Sequence, residues 1–319
     1  MSSIPVIDLK EFEDSDQSEN GYKKLREACE EWGCFRMVNH NIPLDLMRDM
    51  KKVVKSLFLL PTQIKKKNID VVPNSGYLGP NEKNPLFETI GLYDLASSQS
   101  IHDFCSLFET SPNQREIIEK YVVAMRELIR EIGQKFGKSM GLVDTDLFKG
   151  SWDTNLRLNN YTFTPESIGS SGLVTHSDSG FLTIVQDDEE VGGLQVMTKT
   201  GSFVTVDPLP PGSLLLNLGD LAKVWSNGRW YNVKHKVECR EGNGRVSMAT
   251  FVLGPKDKEI EAPEELVDDE HPRLYVPFTY HNYRNLRLTT PLWTDQTLAA
   301  FQTPPTPTTP HHSSSKHAR

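Results

Sequence analysis

Beyond Trp152 the chain changes into short runs of β-formers separated by turns: LRLNNYTF, FLTIVQ, GLQVMT, FVTVDPL, SLLLNLGD, WYNVKHKVEC and RVSMATFVLG. The breaks include KTGS, SNGR and EGNG, and Asn-Gly pairs between strand-like runs are hairpin signals. Short strands at this spacing bury their apolar faces by stacking sheet on sheet or by closing into a barrel. That pattern restricts the second half of the chain to a β sandwich or barrel.

The first half is mixed. IPVIDL (4–9) and CFRMVNH (34–40) read as strands, and GYKKLREACEEW (21–32) as a helix. PLDLMRDMKKVVKSLFLL (43–60) reads as a second helix, opened by a proline and stopped before Pro61. Residues 71–100 are rich in Pro, Gly and Asn with few periodic signals, which predicts a long functional loop. From 112 to 142, Ile118, Tyr121, Val122, Met125, Leu128, Ile129, Ile132, Phe136 and Met140 recur at three- and four-residue steps, the mark of a helix packed on a core. The Pro/Thr/Ser-rich end, with His311 and His312, cannot build a core and predicts a disordered tail. The 319 residues therefore divide into a helical and strand region (1–110), a core-packing helix (111–150), a β domain (151–256), a C-terminal cover (257–300) and the tail (301–319).

Several function classes drop out. No apolar run is long enough to span a membrane, and the start MSSIPVIDLKEFED has neither a basic nor an apolar leader region. A net charge of −8 argues against nucleic acid, and the lysine run at 65–67 reads as a solvated helix face. Cys29, Cys34, Cys105 and Cys239 show no C-x-x-C spacing, as expected of reduced thiols in a cytoplasmic protein. A small-molecule substrate is expected, and no obligate protein partner is evident.

The chemistry concentrates in the β half. GLVTHSDSGFLTIVQ (172–186) sets His176 and Asp178 among Val174, Phe181, Leu182 and Ile184, where a charge is expensive to bury. On a strand, residues i and i+2 share a face, so the two can meet in one interior space if something compensates them. In NVKHKVE, His235 alternates inward with Val233 and Val237. Two imidazoles and one carboxylate with further positions open suit a non-haem Fe(II) oxygenase. A structural zinc would want a fourth ligand, and catalytic zinc stays open at this point. In RVSMATF, Arg245 and Ser247 share a face with Ala249 and Phe251, and an inward arginine needs an anion that its planar fork can hold. Asn159 and Tyr161 share a face on the strand before the H-x-D and could hydrogen-bond a small anion.

IPVIDL, WGCFRMVNH, the N-x-Y of NNY, HSD, NLGD, VKHKV and RVS stand in one order along residues 4–295. In that order the chain resembles the plant 2-oxoglutarate- and Fe(II)-dependent dioxygenases. The resemblance implies a distorted double-stranded β-helix, or jelly roll, with helices packed outside. It implies His176, Asp178 and His235 as iron ligands, catalytic by holding the metal. Arg245 and Ser247 would grip the distal carboxylate of 2-oxoglutarate, with Tyr161 and Asn159 assisting. O₂ would be the second cosubstrate and ascorbate a reductant. The family's metal motif commonly reads H-T-D where this chain has Ser177, which alternation turns away from the metal.

Within the family, NPLFETIGLYD, HSDSGFLTIVQDDEEVGGLQVM, DLAKVWSNGRWYNVKHKV and LVDDEHPRLY are most similar to the auxin-oxidising members. That implies oxidation of indole-3-acetate to 2-oxindole-3-acetate, with succinate and CO₂ released. Hydroxylation or demethylation of another small plant metabolite, an alkaloid, flavonoid or terpenoid, is the alternative. A binding protein that kept the fold is a third reading, disfavoured because no ligand is lost. The substrate wall is expected from Phe87, Ile90, Tyr93, Arg157, Phe251 and Leu253, with Arg157 meeting a substrate carboxylate. Trp225 and Trp230 are read as structural.

Overall fold

The computed structural model describes residues 3–14, 16–144, 146–206, 211–290 and 294–304. Its strands are β1 (Val6–Asp8), β2 (Cys34–Val38), β3 (Phe87–Tyr93), β4 (Trp152–Tyr161), β5 (Ser171–His176), β6 (Leu182–Gln186), β7 (Leu194–Met197), β8 (Phe203–Thr205), β9 (Leu214–Leu218), β10 (His235–Glu238) and β11 (Arg245–Pro255). Its helices are α1 (Ser18–Glu31), α2 (Leu44–Phe58), α3 (Thr62–Lys65), α4 (Ser98–Leu107), α5 (Pro112–Ser139), α6 (Asp220–Trp225), α7 (Tyr280–Thr289) and α8 (Thr294–Ala299). A seven-stranded sheet runs β1-β2-β9-β6-β11-β4-β3 and a four-stranded sheet runs β5-β10-β7-β8. Among the described strand pairs only β1–β2 is parallel. The strand pattern predicts the two-sheet β core, and the family resemblance implies the helices packed outside it.

Alternation along the large sheet separates two cores. On β11, Val246, Met248 and Val252 face the helices, in one cluster with Leu156 and Leu158 of β4 and the apolar stripe of α5. Ala249 joins Tyr161, Phe87, Val185, Leu194 and Val237 between the sheets. Each fully buried side chain of this size contributes about 1.5–3 kcal/mol. A one-residue slip would exchange the two faces, so this burial holds the register that aims Arg245 and Ser247 inward. α5 starts where it does because Ser111 and Gln114 form a reciprocal capping box with Pro112 at the first helical position.

Several expectations need correction. The stretch 71–100 is not all loop: β3 lies within it and pairs with β4 from Phe87↔Tyr161 to Tyr93↔Asn155. β3 is buried on both faces, so it shows no polar alternation, and the turn formers around it mask it. Of the three turn signals only KTGS closes a hairpin, β7–β8. EGNG joins strands of different sheets, and SNGR follows α6. The strand expected over 230–239 is confined to His235–Glu238. Lys65 is not solvated; its ammonium is buried against Glu88 Oε2 at 2.7 Å and also donates to the Phe58 carbonyl.

The tail begins later than 301. The Phe301 ring packs on Phe278 (centroids 4.3 Å) and on Tyr283 (5.9 Å). The Thr303 N–H donates to the Leu274 carbonyl at 2.9 Å. The expected disorder beyond that point, with His311 and His312, falls outside the described residues. The four cysteines are free and buried. No described helix is long and apolar enough to cross a membrane.

Candidate active site

His176 is the last residue of β5, and its register partner across the ladder is the first residue of β10, His235. The antiparallel pairing brings the two imidazoles together, with ring centroids 4.3 Å apart. Asp178 is not on the strand, as alternation alone would have it, but in the turn that follows. Ser177 between them turns away into the protein and donates to Asp220 at 2.7 Å. Asp178 Oδ1 lies 3.7 Å from His176 Nε2 and 3.9 Å from His235 Nε2. The potential ligand atoms all lie within 4.8 Å of one another, the one such cluster of three among the described residues.

The surroundings prepare these atoms as ligands. His176 Nδ1 lies 2.8 Å from the Val174 carbonyl, which can only accept, so Nδ1 carries the hydrogen and Nε2 keeps a free lone pair. Burial, reinforced by the neighbouring His235, lowers the His176 pKa and keeps its ring neutral. Burial alone would raise the Asp178 pKa, but the two imidazoles and the Thr183 hydroxyl outweigh it and hold the group below the ordinary value. Thr183 donates to Asp178 Oδ2 at 2.6 Å and leaves Oδ1 facing the histidines. His235 Nδ1 is buried without a partner. Two imidazoles and a carboxylate converging on one point suit a divalent metal with open positions.

Across the cavity, register places Arg245 opposite Tyr161 and Ser247 opposite Asn159. The Asn159 amide donates to Ser247 Oγ at 3.4 Å. Arg245 is 1% exposed. Its Nη2 pairs with Asp187, and its guanidinium lies over the Tyr161 ring at 4.8 Å. Asp187, Tyr161 and Asp188 outweigh the burial that would discharge it. Nε and Nη1 have no partner, which leaves part of the fork for a further carboxylate. These residues fit a 2-carbonyl dicarboxylate as well as the triad fits its metal.

Both groups line one cavity of about 420 Å³ between the sheets, within the range of small-molecule sites. Phe87, Arg157, Phe251 and Leu253 line it as expected. Ile90 and Tyr93 do not. Ile90 has the opposite parity on β3 and is fully buried on the helix side. Tyr93 has the right parity but stands past the cavity, where its hydroxyl donates to Asp153. Arg157 is buried and donates to the Gly76 carbonyl at 2.5 Å, and burial, with Arg284 nearby, lowers its pKa to about 10.

Residues that sequence reasoning passed over complete the wall: Thr183, Asn217, Arg284 and Arg287, with Asp187 behind Arg245. Thr183 and Asn217 are lone polar residues within FLTIVQ and LLLNLGD, the same kind of signal that exposed His176. Arg284 and Arg287 sit three apart in α7, a spacing that puts both on one helix face.

Comparison with known proteins agrees with this geometry. Residues 152–254 match the model of the 2OG-Fe(II) oxygenase superfamily, and residues 4–117 match that of the non-haem dioxygenase in morphine synthesis N-terminal region. The chain is 45% identical over 291 residues to the 2-oxoglutarate-dependent dioxygenase DAO of Oryza sativa subsp. indica, covering 91% of this chain and 96% of that protein. The crystal structure of the dioxygenase for auxin oxidation from rice superposes with a TM-score of 0.86 at 43% identity, over 94% of this chain and 100% of that one. The 2-oxoglutarate complex of dioxygenase for auxin oxidation 1 from Arabidopsis thaliana gives 0.80 at 50% identity, over 85% and 100%. The matched segments contain the strands that carry the triad and the arginine-serine pair, and the likeness extends along nearly the whole sequence: this chain belongs to the 2OG-Fe(II) oxygenase superfamily.

Proposed function

We propose that this dioxygenase oxidises indole-3-acetate to 2-oxindole-3-acetate, with His176, Asp178 and His235 holding Fe(II). Arg245 and Ser247, with Tyr161 and Asn159, hold 2-oxoglutarate. Bound there, the metal and the keto acid supply the oxidation: one oxygen atom of O₂ enters the substrate and the other leaves in succinate as CO₂ is released. The protein's contribution is position and exclusion. Thr183 and the Val174 carbonyl fix the ligand orientations, and the apolar wall of Phe87, Phe251 and Leu253 keeps water from the reacting carbon.

The observation that carries the substrate class is Arg157. It is a buried cation on the cavity wall, and among the described residues no carboxylate forms an ion pair with it. Asp70, whose charge raises its pKa, is occupied by the backbone N–H groups of Asn74 and Gly76. Arg284, on the same cavity, donates to Ser179, Tyr280 and the Pro73 carbonyl, and its Nε is unpartnered. A neutral alkaloid or terpenoid would leave both cations uncompensated; an aromatic acid supplies one anion and an apolar ring. The relatives named for auxin oxidation support indole-3-acetate among such acids.

The test compares indole-3-acetate with its uncharged amide in wild type and Arg157→Met, following product mass and succinate. The acid should be strongly preferred by wild type, and the preference should shrink in the variant. Oxidation of neither compound by wild type refutes the auxin reading. Equal oxidation of both refutes carboxylate recognition.

A further inference from the structure

Asp220 opens α6 with 0% of its surface exposed and is not part of the triad. Its Oδ1 accepts from Ser177 Oγ at 2.7 Å and from Asn232 Nδ2 at 2.7 Å. Its Oδ2 accepts from the Tyr283 hydroxyl and from Arg287 Nη1, both on α7. Its backbone N–H donates to the Asp178 carbonyl at 2.9 Å. The residue before it allows this approach, since a Cβ on Gly219 would stand 2.2 Å from the Gly180 carbonyl oxygen and 2.8 Å from that of Asp178. One carboxylate thus ties the metal-binding turn to the helix that closes the cavity.

Arg287 is the reason a carboxylate is needed there. Its Nη2 donates to the Ser177 carbonyl, one residue from Asp178, and both side chains line the same cavity. A guanidinium fork is a natural bidentate partner for a carboxylate, and pairing with Asp178 would take the oxygen that faces the histidines.

We infer that Asp220 is a positioning residue that captures the Arg287 guanidinium and so keeps Asp178 free for the metal. Four donors hold the Asp220 carboxylate in place, whereas among the described residues Asp178 accepts a side-chain hydrogen bond from Thr183 alone. Arg287 therefore rests on Asp220. Arg287 already meets the Ser177 carbonyl, one residue from Asp178, so without that anion Asp178 is the carboxylate to which it would turn. The inference rests on the triad as the metal site.

The experiment is anaerobic Co(II) titration of the metal-free protein by calorimetry, with circular dichroism of each variant before metal is added. Asp178→Ala serves as the reference; if it binds Co(II) like wild type, the triad reading itself fails. Asp220→Asn should weaken Co(II) binding by about 10- to 100-fold, the usual effect of losing a partner behind a metal ligand. Arg287→Met alone should bind as wild type does. The double variant Asp220→Asn/Arg287→Met should regain wild-type affinity, because the competing cation has gone with its decoy.

A purely structural Asp220 gives the opposite pattern. Arg287→Met would then weaken binding alongside Asp220→Asn, or the double variant would stay as weak as Asp220→Asn; either result overturns the inference, as does wild-type affinity in Asp220→Asn. The double variant removes both charges of the pair, so weakened affinity in it refutes the capture even if Asp220→Asn alone fails to fold. Recovery of wild-type affinity relative to Asp220→Asn supports the capture.

Discussion

Arg245→Lys separates charge from shape at the proposed 2-oxoglutarate anchor. The guanidinium is 1% exposed, held by Asp187 through Nη2, with Nε and Nη1 unpartnered. Lysine keeps the charge but offers one compact ammonium, which Asp187 draws to itself. The cosubstrate then loses a charge-assisted hydrogen bond of about 1.5–3 kcal/mol. At about 1.4 kcal/mol per tenfold, its KM should rise about 10- to 150-fold. The substrate KM and Co(II) affinity should stay close to wild type, since Arg245 touches neither group. The assay is succinate formation against 2-oxoglutarate concentration at saturating indole-3-acetate, with circular dichroism as the folding control. An unchanged KM for 2-oxoglutarate in a folded variant would mean that another cation holds the carboxylate.

Gly91→Ala should raise the substrate KM while leaving metal affinity unchanged. A Cβ there would stand 1.6 Å from the Ser75 carbonyl oxygen and 2.7 Å from Arg157 Nη1, displacing the segment over the cavity. The overpacking should also cost about 1–3 kcal/mol of stability, so unchanged melting and KM would refute the close approach. His40 predicts a pH dependence of stability. Its Nε2 donates to the Gly212 carbonyl at 2.7 Å and its Nδ1 accepts from the Ile42 N–H at 3.3 Å, so a second ring proton would oppose that N–H. Burial lowers its folded pKa below 6.5, and the unfolded chain therefore binds the proton more readily. The stabilising contribution is present above about pH 6.5 and is lost as pH falls from there through the lower folded pKa. The melting-temperature gap between wild type and His40→Gln should narrow from about pH 8 to about pH 5.5; a constant gap would refute it.

The legible parts were those where one residue type breaks a pattern. His176 and Asp178 interrupt an apolar run, His235 alternates with two valines, and Arg245 points inward on a core strand. Each is a cost that only a partner explains, which makes the triad and the arginine-serine pair candidates from the sequence alone. β3 could not be read in this way, because a strand buried on both faces has no polar side to mark its period. The parity of Ile90 was hidden with it, and that residue faces the helices instead of the cavity. Asp187, Arg284 and Arg287 were invisible for another reason. Charges are common on turns and helices, and their importance here comes from tertiary approach: Asp187 to Arg245 across 58 positions, and Arg287 to Asp220 across 67. KTGS closes a hairpin, but EGNG and SNGR do not, since EGNG connects strands of different sheets and SNGR follows α6. A local sequence specifies a reversal without saying which strand will pair.

The proposed iron site of His176, Asp178 and His235, accepting 2-oxoglutarate beside it, is open to direct test. The most direct measurement is anaerobic visible absorption of the metal-free protein on addition of Fe(II) and then 2-oxoglutarate, in wild type and in Asp178→Ala. Wild type should develop the Fe(II)–2-oxoglutarate charge-transfer band, and indole-3-acetate should perturb it. Asp178→Ala, with unchanged circular dichroism, should develop none. A wild-type protein that shows no band, or an Asp178→Ala protein that keeps it, would contradict the assignment.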